Sequence, residues 1–185
     1  MAKTMTVTGY KSYELNIRSA EDPRLPYIKY ALKQRIIEFI VNGGEWILTS
    51  GQLGIELWAC EVVLELKEHY DINYAIIPPF NNQELRWSEA DQSLYQQLIQ
   101  AADYYALLYK DDYKGPYQFT AKNKWLIDKS DCSLILVDEE HPGSVRFYLE
   151  IAKQYNQENN YPIYYITAFD LNDLIRELQE NEQSL

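Results

Sequence analysis

The sequence predicts a three-layer α/β domain with a mainly parallel sheet of about six strands flanked by helices. Short runs of β-branched and aliphatic residues alternate with segments whose apolar residues recur at helical spacing, along nearly the whole chain. The most strand-like run, Ser133–Val137, is uniformly apolar, as expected of a central strand covered on both faces. The 185 residues, 46% of them hydrophobic, are enough for one core. We therefore expect residues 1–185 to form a single domain.

Each strand is predicted from a short apolar run, and each helix from the face that its apolar residues share. Ile28, Leu32 and Ile36 share a face of the first helix, and Pro78-Pro79 ends the third strand because proline has no N–H for the ladder. The predicted strands are Met5–Thr8, Trp46–Thr49, Tyr74–Ile77, Tyr104–Tyr109, Ser133–Val137 and Ile163–Ile166. The predicted helices are Pro26–Val41, Ile55–Leu66, Ser93–Ala102, Tyr117–Lys129, Ser144–Gln157 and Leu171–Leu178, with a frayed tail after Gln179.

Charge and composition argue against several classes of protein. The chain has 17 Lys and Arg against 28 Asp and Glu, a formal net charge of −11, which disfavours attraction to nucleic acid or to anionic membranes. We find neither an apolar run of ~18 residues nor a basic segment leading into an apolar one, and so expect a cytoplasmic protein without a membrane segment. Cys60 and Cys132 lack metal-ligand spacing, so no metal site is predicted.

Two glycine-bearing loops that follow the first two strands form the candidate ligand site. In open α/β sheets, ligands bind beyond the carboxyl ends of the strands. Glycine allows a sharp turn and close approach of a ligand, and the N–H groups at a helix N-terminus attract an anion. The alternative is that the glycines only make a tight turn. The candidate residues are Gly9, Tyr10 and Ser12 in the first loop, and Ser50, Gly51, Gln52, Gly54 and Glu56 in the second.

Four further side chains are candidates for the same site, each with an alternative role. Arg86 could pair with a phosphate or form a surface ion pair, and Trp87 could stack on a base as part of a lid or pocket, or pack in the core. Asn123 is a polar residue on an apolar helix face, where it either holds a loop or faces the ligand. Asp138 follows the most buried strand, as a ribose-binding carboxylate or as part of a solvated acidic turn.

Several of these segments resemble the YpsA family of Gram-positive bacteria. The resemblance rests on Thr8-Gly9-Tyr10-Lys11, on Glu45–Leu48 leading into Ser50–Ala59, and on later stretches such as Lys122-Asn123 and Ile127–Asp131. It covers almost the whole chain. It implies membership of the SLOG superfamily, with a Rossmann-like fold related to DprA and to the LOG phosphoribohydrolases. It also implies a nucleotide or nucleotide-derived ligand, related to NAD or ADP-ribose, and a link to cell division.

The sequence leaves three functions open. The first is non-catalytic binding of a nucleotide-like ligand in a sensory or regulatory role, with Glu56 accepting hydroxyl hydrogen bonds and with protein partners at the acidic surface. The second is an N-glycosidic hydrolase that uses Glu56, although the segment Ser50–Glu56 departs from the PGGxGTxxE motif of LOG enzymes. The third, which the net charge disfavours, is DprA-like binding of nucleic acid through the lysines and aromatic residues between 110 and 129.

Overall fold

A computed structural model describes residues 1–184 as a six-stranded parallel sheet flanked by six α-helices. The strands are β1 (Thr4–Gly9), β2 (Trp46–Thr49), β3 (Asn73–Ile76), β4 (Tyr104–Tyr105), β5 (Cys132–Leu136) and β6 (Ile163–Ile166). The helices are α1 (Leu25–Val41), α2 (Ile55–Leu66), α3 (Glu89–Ala101), α4 (Tyr117–Asp128), α5 (Arg146–Glu158) and α6 (Ala168–Gln183), with 3-10 helices at Ser12–Leu15 and Gly143–Val145. Within this part of the chain, no helix is long and apolar enough to span a membrane.

The strand order reverses at β1, which lies in the middle of the sheet. The order is β4-β3-β2-β1-β5-β6 and every pair is parallel, so the predicted α/β fold is confirmed. The chain moves outward from β1 to β4, then crosses back to pair β5 with the other edge of β1, where Gly9 lies opposite Leu136. The loops after β1 and β5 leave the sheet on opposite sides of this reversal and open a crevice at its carboxyl edge.

The sheet separates two hydrophobic cores, one on each face. One core contains apolar residues of α1, α2 and α3 with α6 packed against it, and the other contains those of α4 and α5. Because side chains alternate along a strand, β1 directs Met5 and Val7 into the first core, while the Thr6 hydroxyl donates to Ser130 at the end of α4. The sheet is therefore buried on both faces, as the apolar run of β5 predicts.

A chain of buried hydroxyl groups joins α5 to the sheet. The Ser133 hydroxyl of β5 lies 2.6 Å from the Tyr148 hydroxyl and 2.7 Å from that of Tyr161. Tyr161 in turn lies 2.7 Å from the Ser130 hydroxyl. Burial raises the pKa of Tyr148 well above 10, so this residue remains a neutral hydrogen-bonding group. The network satisfies polar groups inside the second core and fixes the beginning of α5.

Three elements differ in length by at least three residues from the sequence prediction. The helix expected over Ser93–Ala102 is α3, which begins at Glu89 because the side chain of Ser88 caps it by accepting from Asp91 N. We expected a strand over Tyr104–Tyr109, but β4 contains only Tyr104–Tyr105. The opposing Pro78-Pro79 has no N–H to donate. Beyond β3 the hydrogen bonds therefore run in one direction only, as where Leu108 N donates to the Pro78 carbonyl oxygen. The helix expected over Leu171–Leu178 is α6, which spans Ala168–Gln183 through residues rich in Glu and Gln, which are good helix formers. Fraying after Gln179 stays a prediction.

The loop after β1 packs directly on the N-terminus of α2. Gly54, which precedes α2, has a φ of +93°, and a β-carbon there would lie 2.5 Å from the Tyr10 carbonyl oxygen and 2.6 Å from Ser12 N. Tyr10 O also accepts a hydrogen bond from Ile55 N at 3.2 Å. Only glycine allows both the left-handed backbone and this close approach.

We predict that Gly54→Ala destabilises the fold by about 2 kcal/mol or more, because the added methyl group meets backbone atoms and φ is unfavourable for alanine. In a domain of this size, that change lowers Tm by about 4–8 °C. Thermal unfolding followed by circular dichroism measures the effect. Gly115→Ala is the control, since Gly115 has no positive φ and its neighbour is the exposed ring of Tyr117. Equal Tm values for Gly54→Ala and the wild type would contradict the prediction.

Candidate ligand-binding site

A cavity of about 330 Å³ opens at the strand reversal, at the carboxyl end of β1. We call it the cleft. Its first wall comes from the ends of β1 and β2 and the start of α2, and contains Thr8, Gly9, Lys11, Gln52 and Glu56. Its second wall comes from α4 and the beginning of α5, and contains Pro116, Phe119, Thr120, Lys122, Asn123, Ser144, Val145, Phe147 and Tyr148. The volume lies in the range of small-ligand pockets.

The carboxylate of Glu56 lies at the base of the cleft and is 4% exposed. Its Oε1 accepts hydrogen bonds from Ser50 N and Ser50 Oγ, both at 2.7 Å, and its Oε2 accepts one from Thr8 Oγ1 at 2.9 Å. A buried carboxylate needs such donors to offset the loss of water. Glu56 therefore connects the ends of β1 and β2 to the first turn of α2.

Several N–H groups of the loop between β2 and α2 have acceptors inside the protein. Gly51 N donates to Thr49 Oγ1 at 3.1 Å, and Leu53 N donates to Gln52 Oε1 at 2.9 Å. Ser50 N and Ile55 N are also bonded, to Glu56 and to Tyr10 O. Most of the N–H groups that were expected to bind an anion at this turn therefore already donate to acceptors within the protein.

Two lysines supply positive charge in the cleft. Among residues 1–184, no carboxylate oxygen lies within 4.0 Å of Lys11 Nζ or Lys122 Nζ. Burial lowers the pKa of Lys122, Glu56 acts in the opposite direction, and repulsion from Lys11 lowers it further. An anion placed between the two ammonium groups would remove this repulsion.

Asn123, on the second wall of the cleft, carries a buried polar atom without a partner. The residue is 5% exposed, and its Oδ1 has no hydrogen-bond partner in the described part of the chain. The residue lines the second wall, but this oxygen is itself closed off from the open space of the cleft. A buried amide without partners is uncommon in folded proteins.

Side chains from the loop after β1 hold the loop after β5, and we call these contacts the strap. Tyr10 Oη donates to the His141 carbonyl oxygen at 2.6 Å and accepts from Asp138 N at 2.9 Å. Glu14 accepts from Ser144 N at 2.9 Å and from Ser144 Oγ at 2.6 Å. Burial raises the pKa of the Glu14 carboxyl, but hydrogen bonds from Ser144 and Lys11 outweigh burial and lower the pKa below 4.5.

The structure divides the candidate residues identified from sequence among four places. The cleft contains Gly9, Gln52, Glu56 and Asn123. A neighbouring groove of about 850 Å³ contains Ser12, Gly54, Arg86 and Trp87, and shares Gln52 and Lys11 with the cleft. Ser50 and Gly51 are buried beside Glu56 and Gln83. Tyr10 and Asp138 are partners in the strap, and the Asp138 carboxylate accepts from Glu140 N within its own turn.

Sequence reasoning did not single out Lys11, Lys122 or Phe119 as site residues. A signal was present for each. Lys11 follows the carboxyl end of β1 by two residues, where ligand-binding loops begin. Phe119 and Lys122 precede Asn123 on α4 by four residues and one residue, so the aromatic ring lies on the same helical face as the amide.

The fold and the cleft define a Rossmann-like α/β protein with a ligand-sized cavity at the point where the strand order reverses. Residues 5–171 match the model of YpsA, described as the YspA SLOG family. The chain therefore belongs to the YpsA family of SLOG proteins, which confirms the family resemblance of its sequence.

Close relatives cover nearly the whole chain. A UPF0398 protein of Oceanobacillus iheyensis is 45% identical over 177 residues, covering 96% of this chain and 95% of the relative. The UPF0398 protein YpsA of Bacillus subtilis is 45% identical over 176 residues, covering 95% and 98%.

A solved structure shares the fold at low sequence identity. It is DNA processing protein A from Helicobacter pylori, described for its single-stranded DNA binding mode. The TM-score is 0.55 at 17% identity, with 96% of this chain and 81% of the other covered. At this identity, the similarity shows a shared fold and nothing further.

We predict that Glu14→Gln destabilises the protein at pH 7 and that the difference from the wild type shrinks in acid. The lowered pKa means that the carboxylate stabilises the fold above the unfolded pKa, near 4.5, and that this stabilisation is lost as the pH falls through the folded pKa. Urea unfolding between pH 7 and pH 3 measures the difference. Glu68→Gln, at an exposed position, is the control. A difference that does not depend on pH would show that the Glu14 charge is not involved.

Proposed function

We propose that the cleft binds a phosphorylated, nucleotide-derived ligand such as ADP-ribose or NAD, in a non-catalytic sensory or regulatory role. One observation carries this proposal. Lys11 and Lys122 lie in a ligand-sized cavity at the strand reversal without a carboxylate partner among the described residues, although the protein as a whole carries a net charge of −11. Acidic residues are plentiful, so two lysines in one cavity whose contacts include the rings of Tyr13 and Phe119 but no carboxylate favour an anionic ligand.

The local charge supports this ligand class. Glu56 is the acidic residue that lines the cleft, and three hydrogen-bond donors from the protein already stabilise its charge. Two ammonium groups against one satisfied carboxylate leave a positive potential in the cavity. Partial burial strengthens this potential, because it is screened less by water than at the surface.

Hydrolysis of an N-glycosidic bond is less well supported by the geometry. A catalytic carboxylate must be able to turn toward the anomeric carbon or toward an attacking water. Glu56 instead accepts three hydrogen bonds that fix both of its oxygens. We therefore assign Glu56 a structural role in the cleft. One lone pair on its Oε2 remains free to accept a hydrogen bond from a ligand hydroxyl.

Binding of nucleic acid along the 110–129 segment is also less well supported. Lys114 pairs with Asp111 at 3.0 Å and Lys129 with Asp128 at 3.7 Å, while Lys122 lines the cleft. Lys110 and Lys124 remain as exposed cations, which is fewer than a site that follows a phosphate backbone normally uses.

A regulatory role requires that the ligand change a contact with another molecule. We propose that the protein acts in the cytoplasm and that ligand binding alters its contacts with protein partners, through which it affects cell division. Capture of partners by the purified protein, with and without ADP-ribose, tests this step. Partners that are identical in both conditions would contradict a ligand-dependent role.

We predict that Lys122→Met weakens the binding of ADP-ribose by roughly tenfold or more, because a hydrogen bond to a charged phosphate oxygen is lost. Isothermal titration calorimetry at fixed ionic strength measures the affinity. Lys124→Met is the matched control, since Lys124 is exposed on the same helix and does not line the cleft. No binding of ADP-ribose, NAD or AMP to the folded wild-type protein would overturn the proposed function.

We predict that Glu56→Gln lowers Tm and that the wild type does not hydrolyse AMP. The glutamine amide would direct N–H groups at Thr8 or Ser50, and the loss of hydrogen bonds to a charged group costs about 1.5–3 kcal/mol each. Differential scanning calorimetry measures Tm, and chromatography detects free adenine. Release of adenine that disappears in Glu56→Gln would show that the protein is a hydrolase.

A further inference from the structure

Lys122 differs in its surroundings from most lysines of the chain. Within residues 1–184, most lysines have a carboxylate oxygen within 4.0 Å of Nζ, whereas Lys122 has none. Its Nζ lies 6.0 Å from the centroid of the Phe119 ring, and its side chain is half-buried on the second wall of the cleft. Because burial lowers the pKa of Lys122, more of this side chain is a neutral amine at neutral pH than is the case for an exposed lysine.

Two charged groups face this amine from other elements. Glu56 of α2 raises the pKa of Lys122, and Lys11, in the loop after β1, lowers it by repulsion. Lysines that are desolvated or that lie beside another cation are the ones that act as nucleophiles in proteins, since only the neutral amine has a free electron pair. The cleft therefore holds a nucleophile beside a positive charge that can bind an anion.

We propose that Lys122 Nζ accepts an acyl group from small acyl phosphates, and that this acylation switches off anion binding in the cleft. The amine attacks the carbonyl carbon and forms a C–N bond, while the bond between that carbon and the phosphate oxygen breaks. The phosphate leaves with the electron pair of the broken bond and takes up the proton lost from the nitrogen. Lys11 would hold the phosphate before the reaction and stabilise the negative charge that builds on it as it leaves.

The class of donor follows from the closeness of the two lysines. Their ammonium groups lie near enough to repel each other, so a reagent that engages both must carry its phosphate close to its electrophilic carbon. In an acyl phosphate, a single oxygen atom separates the carbonyl carbon from phosphorus. In a phosphorylated sugar aldehyde, several atoms separate them, so its phosphate would lie farther from the attacking nitrogen.

The amide formed in this reaction would change the charge of the cleft. Acylation replaces the ammonium of Lys122 with a neutral group. Lys11 alone would then face the carboxylate of Glu56, and the positive potential of the cavity would be lost. This consequence rests on the proposed function, because it predicts that the acetylated protein binds ADP-ribose about tenfold more weakly than the unmodified protein.

The test measures the rate at which acetyl phosphate acetylates each lysine of the intact protein, by mass spectrometry of its peptides. We expect Lys122 to react about tenfold faster than Lys124, which is exposed on the same helix. The acetyl ester of N-hydroxysuccinimide, which carries no phosphate, is the reference reagent and should show a smaller preference for Lys122. Equal rates for the two lysines with acetyl phosphate, or the same preference with both reagents, would overturn the inference.

A variant of Lys11 tests the role of the second charge. Lys11→Met should slow the acetylation of Lys122 by acetyl phosphate, because it removes both the charge that holds the phosphate and the repulsion that lowers the pKa of Lys122. Lys110→Met is the matched control, since Lys110 is exposed and does not line the cleft. Inorganic phosphate tests the same point without a substitution, and should protect Lys122 but not Lys124. An unchanged rate at Lys122 in folded Lys11→Met, or no protection by phosphate, would overturn the inference.

The outcomes separate this inference from the proposed function. If Lys122 is acetylated selectively but ADP-ribose, NAD and AMP do not bind to the unmodified protein, the acylation site is confirmed and the proposed function is wrong. If ADP-ribose binds and acetylation is not selective, only this inference is wrong. If the acetylated and unmodified proteins bind ADP-ribose equally well, acylation does not switch off the cleft.

Discussion

The hydrogen bonds of the Glu56 carboxylate determine the shape of the cleft. Its two oxygens join Thr8 near the end of β1 to Ser50 just after β2, and its backbone lies in the first turn of α2. An ionised group this deeply buried is tolerated only with several donors, so the loop must keep the conformation that supplies them. The carboxylate also lies in the first turn of α2, where the helix dipole favours negative charge. The positions of Gln52 and of the cleft itself depend on this arrangement.

Close packing and the strap extend this rigidity to the opposite side of the cleft. A β-carbon on Gly9 would lie 2.8 Å from both the Ile55 side chain and the Leu136 carbonyl oxygen, so β1, α2 and β5 meet there without free space. Glu14 then connects the loop after β1 to Ser144, which lines the cleft. A hydrogen bond between the hydroxyl groups of Ser133 and Tyr148 fixes the first turn of α5 against the sheet. These contacts position a largely preformed cavity, which lowers the entropic cost of binding a small molecule.

The sequence was sufficient for the fold and for part of the lining of the cleft. Parallel strands have their carboxyl ends at one edge of the sheet, so glycine-bearing loops after β1 and β2 had to lie close together, and the cleft does contain Gly9, Gln52 and Glu56. The strap could not be predicted, because Glu14 and Ser144 are 130 residues apart and meet only through the strand order. The separation of the cleft from the neighbouring groove could not be predicted from the sequence either. It depends on the path of a few residues around Gln52, which hydrophobic periodicity does not determine.

For the proposed function, the acidity of the protein and the two lysines of the cleft together favour a small anion as the ligand. At physiological ionic strength, charges are screened over about 8 Å, so a small anion inside the cavity interacts mainly with Lys11, Lys122 and Glu56. A long polyanion would instead extend beyond the cleft, over a surface that contributes most of the net charge of −11, and would be repelled along its length. The two lysines of the cleft can therefore favour a small phosphate without favouring a nucleic acid along the surface. For the proposed function, this contrast between the local and the overall charge favours a compact anion over a long one.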